Sequence, residues 1–132
     1  MNMSTRLYLS PTSLELIQSV FAEMMKSCDG IKGLMVSTVD GHSLTTSFLQ
    51  KFDESRLAAL ASSLLAISEN LAKEAEQNLC RHIIVQNANG VLVTQRLGKS
   101  LVLTSIADES TNLGMLHSVT RAGVEKIIKL HK

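Results

Sequence analysis

In Gly33-Leu34-Met35-Val36-Ser37-Thr38-Val39-Asp40-Gly41, a run of β-forming residues ends on Asp-Gly, and a second run, His42 to Phe48, follows at once. Asp-Gly between two such runs predicts a hairpin with a type I′ turn, which needs positive φ at both central residues. The first strand is apolar on both sides: Leu34 and Val36 fall on one face, Met35 and Val39 on the other. A strand of that kind has cover on both faces of its sheet.

The cover is legible on either side of the hairpin. Ser10 as cap and Pro11 as first helical residue open a helix, with Thr12 and Glu15 as a rival capping box. Leu14, Ile17, Phe21, Met24 and Cys28 then recur at helical spacing, so the first helix runs over about Pro11 to Cys28 and stops at Asp29-Gly30. After the hairpin, Asp53 begins the longest helix, about Glu54 to Leu79. Leu57, Leu60, Ala61, Leu64, Ser68, Leu71, Ala75 and Leu79 read as its core stripe. Three short strands follow, His82 to Gln86, Val91 to Arg96 and Leu101 to Ala107. The tight connections Asn87-Ala88-Asn89-Gly90 and Leu97-Gly98-Lys99-Ser100 make them an antiparallel meander. Asp108, Ser110 and Thr111 offer caps for a last helix to about Leu130, with Leu113, Leu116, Val119, Gly123, Ile127 and Leu130 facing inward. The order α-β-β-α-β-β-β-α predicts an α/β sandwich: a five-stranded antiparallel sheet with helices on both faces. Residues 1–10 read as a short N-terminal leader and residues 11–132 as one domain.

Composition narrows the function classes. Thirteen basic against twelve acidic residues leave a net charge of +1, without the basic excess of a nucleic-acid module. Aromatics are 3% with no Trp, which leaves few platforms for stacked bases. Hydrophobic residues make 45% of the chain, enough for a core without a metal or disulfide staple. Cys28 and Cys80 form no CxxC pair, and Met1 to Ser10 holds no apolar run, so a reduced, cytoplasmic protein without membrane insertion is expected.

No catalytic, cofactor or metal residue is nominated. Gly98-Lys99-Ser100 resembles the end of a phosphate loop, but position 93 is Val93 and the following Leu101-Val102-Leu103-Thr104 reads as strand. Gly41-His42-Ser43 lacks the second glycine of a nucleophile elbow, since position 45 is Thr45. Cys80 and His82 have no matching ligand pair among His42, His117 and His131. Glu69, Glu74 and Glu76 lie near Lys73 and Arg81 and read as a solvated flank. The chain is therefore expected not to be an enzyme.

The informative feature is the second helix. Opposite its stripe lie Ala59, Ser63, Ala66, Asn70, Lys73 and Gln77, with Ala58, Ser62 and Leu65 on a flank, and Leu57 to Ser68 carries no charge. A solvent-facing helix ordinarily shows Glu, Lys and Arg on that side. The strand that follows, His82-Ile83-Ile84-Val85-Gln86, has no Pro or Lys to guard it as a sheet edge. Ala59, Ser62, Ser63, Ala66, Asn70 and the strand residues His82, Ile83, Ile84, Val85 and Gln86 are accordingly expected to form a dimer interface. Glu69, Lys73, Glu76 and Gln77 would rim it as partner-binding residues.

In this order, particular segments resemble the Roadblock/dynein-light-chain family. Gly33 to Gly41 is similar to that family's first hairpin, and Asn89-Gly90-Val91-Leu92-Val93, Gly98 and Asp108-Glu109-Ser110-Thr111-Asn112-Leu113-Gly114 to its last strands and final helix start. The resemblance spans roughly Leu14 to Ile128. It implies a homodimer in which the third strands pair across a two-fold axis and the second helices lie side by side. It also implies a non-catalytic protein that binds and regulates a Ras-like small GTPase, as bacterial gliding-motility regulators promote GTP hydrolysis by theirs. The other role it implies is a dimeric adaptor or scaffold subunit without a GTPase. Arg56, Arg81, Arg96 and Arg121 match no arginine-finger position of the family.

Overall fold

The computed structural model describes residues 9–131. Of the expected leader, positions 1–8 lie outside the described residues, while Leu9 is buried in the core. The elements are α1 (Pro11–Ser27), β1 (Ile31–Thr38), β2 (Ser43–Phe48), α2 (Glu54–Glu74), β3 (His82–Asn87), β4 (Gly90–Leu97), β5 (Leu101–Asp108) and α3 (Leu113–His131). Their order is the one expected. The strands form a single antiparallel sheet in the order β2-β1-β5-β4-β3.

β1 has cover on both sides, as its composition required. Leu34, Met35 and Val36 are all fully buried. Leu34 and Val36 point into the main core with Ile17, Phe21, Val93, Leu103 and Leu116, formed under α1 and α3. Met35 points the other way, toward α2, which packs on β1 and β2. On the α3 side, the Thr120 hydroxyl donates to the Leu116 carbonyl at 2.7 Å and accepts from the Ser105 hydroxyl at 2.8 Å, so a buried polar pair is satisfied.

Two local expectations are corrected, and at α1 one of two alternatives is decided. The β1–β2 connection is not a type I′ turn. Among the described residues only Glu76 and Asn78 are non-glycine positions with positive φ, so Asp40 is not left-handed; Gly41 alone is, at φ 100°. Gly41 N–H donates to the Thr38 carbonyl at 3.1 Å, and Thr38 N–H to His42 at 2.8 Å, closing a three-residue loop with its glycine at the left-handed position. At α1, Ser10 is the cap, accepting from Ser13 N–H at 3.1 Å, and the Thr12–Glu15 box is not used. At α3, Asn112 is the cap, accepting from Met115 N–H at 3.0 Å. Asp108 instead organises the preceding turn through Ser110 and Thr111.

α2 ends at Glu74 rather than Leu79. Gln77 N–H donates to the Ala72 carbonyl at 2.8 Å and Glu76 N–H to the Lys73 carbonyl at 3.0 Å. This is a Schellman termination, with Glu76 at φ 58° where glycine is usual. The sequence holds no glycine there, so nothing in it announced the stop. A left-handed L-residue costs roughly 1–2 kcal/mol. Glu76→Gly is therefore expected to stabilise the fold by about 1 kcal/mol, part of the strain relief being offset by glycine's unfolded-state entropy. Urea unfolding measures it; an unchanged or lowered midpoint would contradict the strain.

Candidate functional site

α2 is positioned from its first turn. Asp53 caps it, accepting from Arg56 N–H at 3.1 Å. Ser62 Oγ then donates to the Val39 carbonyl at 2.6 Å, tying the helix to the β1–β2 loop. The contact is close because the residues are small: a side chain added at Gly41 would meet Ala59 Cα at 3.5 Å and Ser62 Cβ at 3.6 Å.

The inner face of α2 is Ala58, Ala61 and Leu65, all buried. That corrects the expected core stripe. Leu60, Ile67 and Leu71 are exposed by 58%, 64% and 69%, and Leu79 by 57% beyond the helix. Leu57 and Leu64 are half-buried. The helix carries two apolar arcs, one rich in leucine and one in alanine. Hydropathy favours turning the leucine arc inward, whereas close approach to the sheet requires the alanine arc. The uncharged character of Leu57 to Ser68 is the sequence signal for an unusual outer face; of the expected stripe Ala61 is buried, while Leu60 and Leu71 turn outward.

The expected interface residues divide accordingly. Ala59, Ser63, Ala66 and Asn70 are exposed, beside the Leu60–Ile67–Leu71 stripe. Ser62 is half-buried, its hydroxyl held by the Val39 carbonyl. β3 is a sheet edge that pairs only with β4. Along it His82, Ile84 and Gln86 are exposed, while Ile83 and Val85 are half-buried. The α2 stripe and the β3 edge meet at a notch of about 330 Å³ lined by Leu71, Ala72, Leu79, Cys80 and Ile83.

Of the expected rim, Lys73, Glu76 and Gln77 are exposed around the end of α2, but Glu69 is taken up inside the chain. Its carboxylate lies 3.0 Å from Arg96 Nη2 on β4 and accepts Cys80 N–H at 2.8 Å. Arg96 Nε in turn donates to the Cys80 carbonyl at 3.0 Å. The three residues clamp the end of α2, β4 and the entry to β3. The Arg96 hydrogen bond, helped by the Cys80 amide and opposed by desolvation, holds the Glu69 carboxyl below its ordinary range. Burial pushes the Cys80 thiol up, so it is not an activated thiolate.

The other motifs take plain places. Gly98-Lys99-Ser100 is the β4–β5 turn with Gly98 at φ 72°, and a strand follows it. The His82 ring packs on His117, while Cys80 Sγ lies 3.7 Å from the His82 carbonyl. Among the described residues no three His, Cys, Asp or Glu side chains gather as a metal site, and no helix is long and apolar enough to cross a membrane. A second open groove of about 510 Å³, lined by Phe52, Leu57, Leu92 and Ile106, flanks the other end of α2. The whole face is broad and shallow, suited to another protein surface rather than to an enclosed small molecule.

A family model described as the Roadblock/LC7 domain matches residues 18–107. An uncharacterised protein of Methanocaldococcus jannaschii is 26% identical over 112 residues, covering 85% of this chain and 96% of its own. Among solved structures, Myxococcus xanthus MglB superposes with a TM-score of 0.83 at 21% identity, over 93% of this chain and 92% of that one. A structure described as MglB with tetrameric arrangement superposes with a TM-score of 0.86 at 18% identity, over 92% of each chain.

The clamp has a pH signature. A depressed carboxyl adds stability that is complete above its ordinary pKa, 4.5 for Glu69, and is lost as pH falls through the lower folded value. Glu69→Gln should therefore lower stability at neutral pH and flatten its decline between about pH 5.5 and about pH 3. Urea midpoints measured across that range decide it; parallel acid declines in the two proteins would rule the ionised clamp out.

Proposed function

We propose, on the premise that this chain belongs to the Roadblock/LC7 domain family, that it is a homodimeric, non-catalytic regulator that binds a Ras-like small GTPase. The observation that carries the reading is the exposed Leu60–Ile67–Leu71 stripe of α2 beside the unguarded β3 edge. Three large apolar side chains on one helix face call for a protein cover. A second copy supplies it with least invention: antiparallel pairing of β3 with its symmetry mate would satisfy the open edge and bring the two α2 helices together. The similarity to an MglB in a tetrameric arrangement supports self-association. The family resemblance supports the GTPase, and with it a cytoplasmic setting and a functional unit of residues 11–132.

In this reading the joined α2 helices form a wide platform, with Lys73, Glu76 and Gln77 at its rim and Ala59, Ser63, Ala66 and Asn70 toward its centre. Stimulation of GTP hydrolysis would come from positioning the partner's own switch segments and selecting their competent conformation. The arginines favour this over an inserted side chain. Arg96 is engaged by Glu69 and Cys80, and Arg6 lies outside the described residues. Arg56, Arg81 and Arg121 are exposed but unassigned to any such role.

Two measurements test the reading. The wild-type chain is expected to sediment as a dimer at micromolar concentration, and Ile67→Glu or Ala66→Arg to sediment as a folded monomer, because a charge would be buried in the contact. A monomeric wild type overturns the dimer. Pull-down of a cognate GTPase, loaded with GDP or GTP, is expected to retain one nucleotide form. If no GTPase binds while larger multi-subunit assemblies are captured through the same face, the adaptor role replaces the regulatory one. A single Arg→Ala change that removes stimulation by ~1000-fold while binding survives would show an arginine finger and sink the positioning account.

A further inference from the structure

β3 begins at His82, whose side chain lies on the α3 side of the sheet, opposite α2. There its ring packs against His117 of α3, with ring centroids 4.1 Å apart and planes tilted by 39°. The groups facing His82 are few. From α3 come His117 and, one turn on, Arg121; from β4 comes Gln95, its cross-strand partner in the register. No carboxylate is among the charged groups acting on it. Two polar atoms of this corner, His117 Nε2 and Gln95 Oε1, are buried without a hydrogen-bond partner. A positive charge on the His82 ring would meet the His117 ring at 4.1 Å and the Arg121 guanidinium, with no carboxylate to offset them.

We propose that the His82–His117 ring pair is a pH-sensitive latch on the β3 edge, so that protonation opens it and weakens the pairing of two copies of this chain. The inference rests on the dimer reading and adds its regulation. The edge is the link: His82 is exposed in the single chain, and Ile84, exposed next to it on the same face, continues the edge. A second strand laid along β3 removes water from His82 and makes a charge there costlier still. The dimer consequently binds fewer protons than two separate chains, and acid favours separation. The direction agrees with the single chain, where burial, then His117 and Arg121, already hold the His82 imidazole below its ordinary value of 6.5. Protonating a base depressed in this way costs the single chain's fold as pH falls below 6.5, and a strand contact that adds to the burial acts with the same sign.

The test is sedimentation velocity of the full chain at about pH 7.5 and about pH 5.5, with His82→Phe and His117→Phe alongside. Each phenylalanine keeps an apolar ring in the contact and removes a titrating one. The wild-type dimer is expected to weaken by ~10-fold or more between the two pH values, and His82→Phe by less than ~2-fold. An imidazole NMR titration, with the His82 signal identified by its loss in His82→Phe, is expected to place His82 below ordinary histidine. A wild type monomeric at the higher pH overturns the dimer and the latch together. A dimer that is equally tight at both pH values, or one whose acid weakening survives in both phenylalanine variants, overturns the latch and leaves the dimer standing.

Discussion

The structure depends on how closely α2 lies against the sheet. Ala58 and Ala61 are buried where leucines would have held the helix away, and Ser62 reaches the Val39 carbonyl directly. Farther along, the Glu69–Arg96–Cys80 clamp fixes the helix end. With Ala58, Ala61 and Leu65 inside, Leu60, Ile67 and Leu71 on the opposite side face outward. Each large apolar side chain left in water forgoes about 1.5–3 kcal/mol that burial would give. A helix that leaves Leu60, Ile67 and Leu71 exposed is therefore a helix whose burial is incomplete in a single chain.

Much of the fold was legible because its signals were local. Ser10-Pro11, the Asp-Gly loop and the glycine-containing turns marked ends, and a first strand apolar on both faces demanded a sandwich. What was not legible were choices made by tertiary contact. The α2 helix could bury either of two apolar arcs, and periodicity cannot say which one touches the sheet. Its end is set by a left-handed glutamate, a conformation that residue does not advertise. Glu69 looked like a surface charge because its partners, Arg96 and the Cys80 backbone, come from other elements. The final cap moved to Asn112 because Asp108 was already committed to its own turn.

The candidate site follows from the same geometry. It is an outer helix face and a strand edge, two features that need no reacting group to be useful. Two of its polar groups, Ser62 and Glu69, hold α2 in place, and the rest lie exposed around apolar surface and backbone edge. Such a surface recognises shape and register, and charge at its borders sets encounter rather than chemistry.

The pairing of β1 also governs how the chain can come to be folded. β1 hydrogen-bonds to β2, its neighbour in sequence, and to β5, with Ile31 set against Ala107 and Thr38 against Leu101. The meander β3-β4-β5 can zip up from adjacent segments, but β1 is complete only when the chain closes a loop that contains α2 and two further strands. On a ribosome, the first hairpin must wait with one edge of β1 unpaired until β5 has emerged, and Leu34 and Val36 wait longer still for the cover of α3. Synthesis thus passes through a stage in which the most buried strand of the finished protein is its most adhesive segment, the stage at which a chaperone would find it.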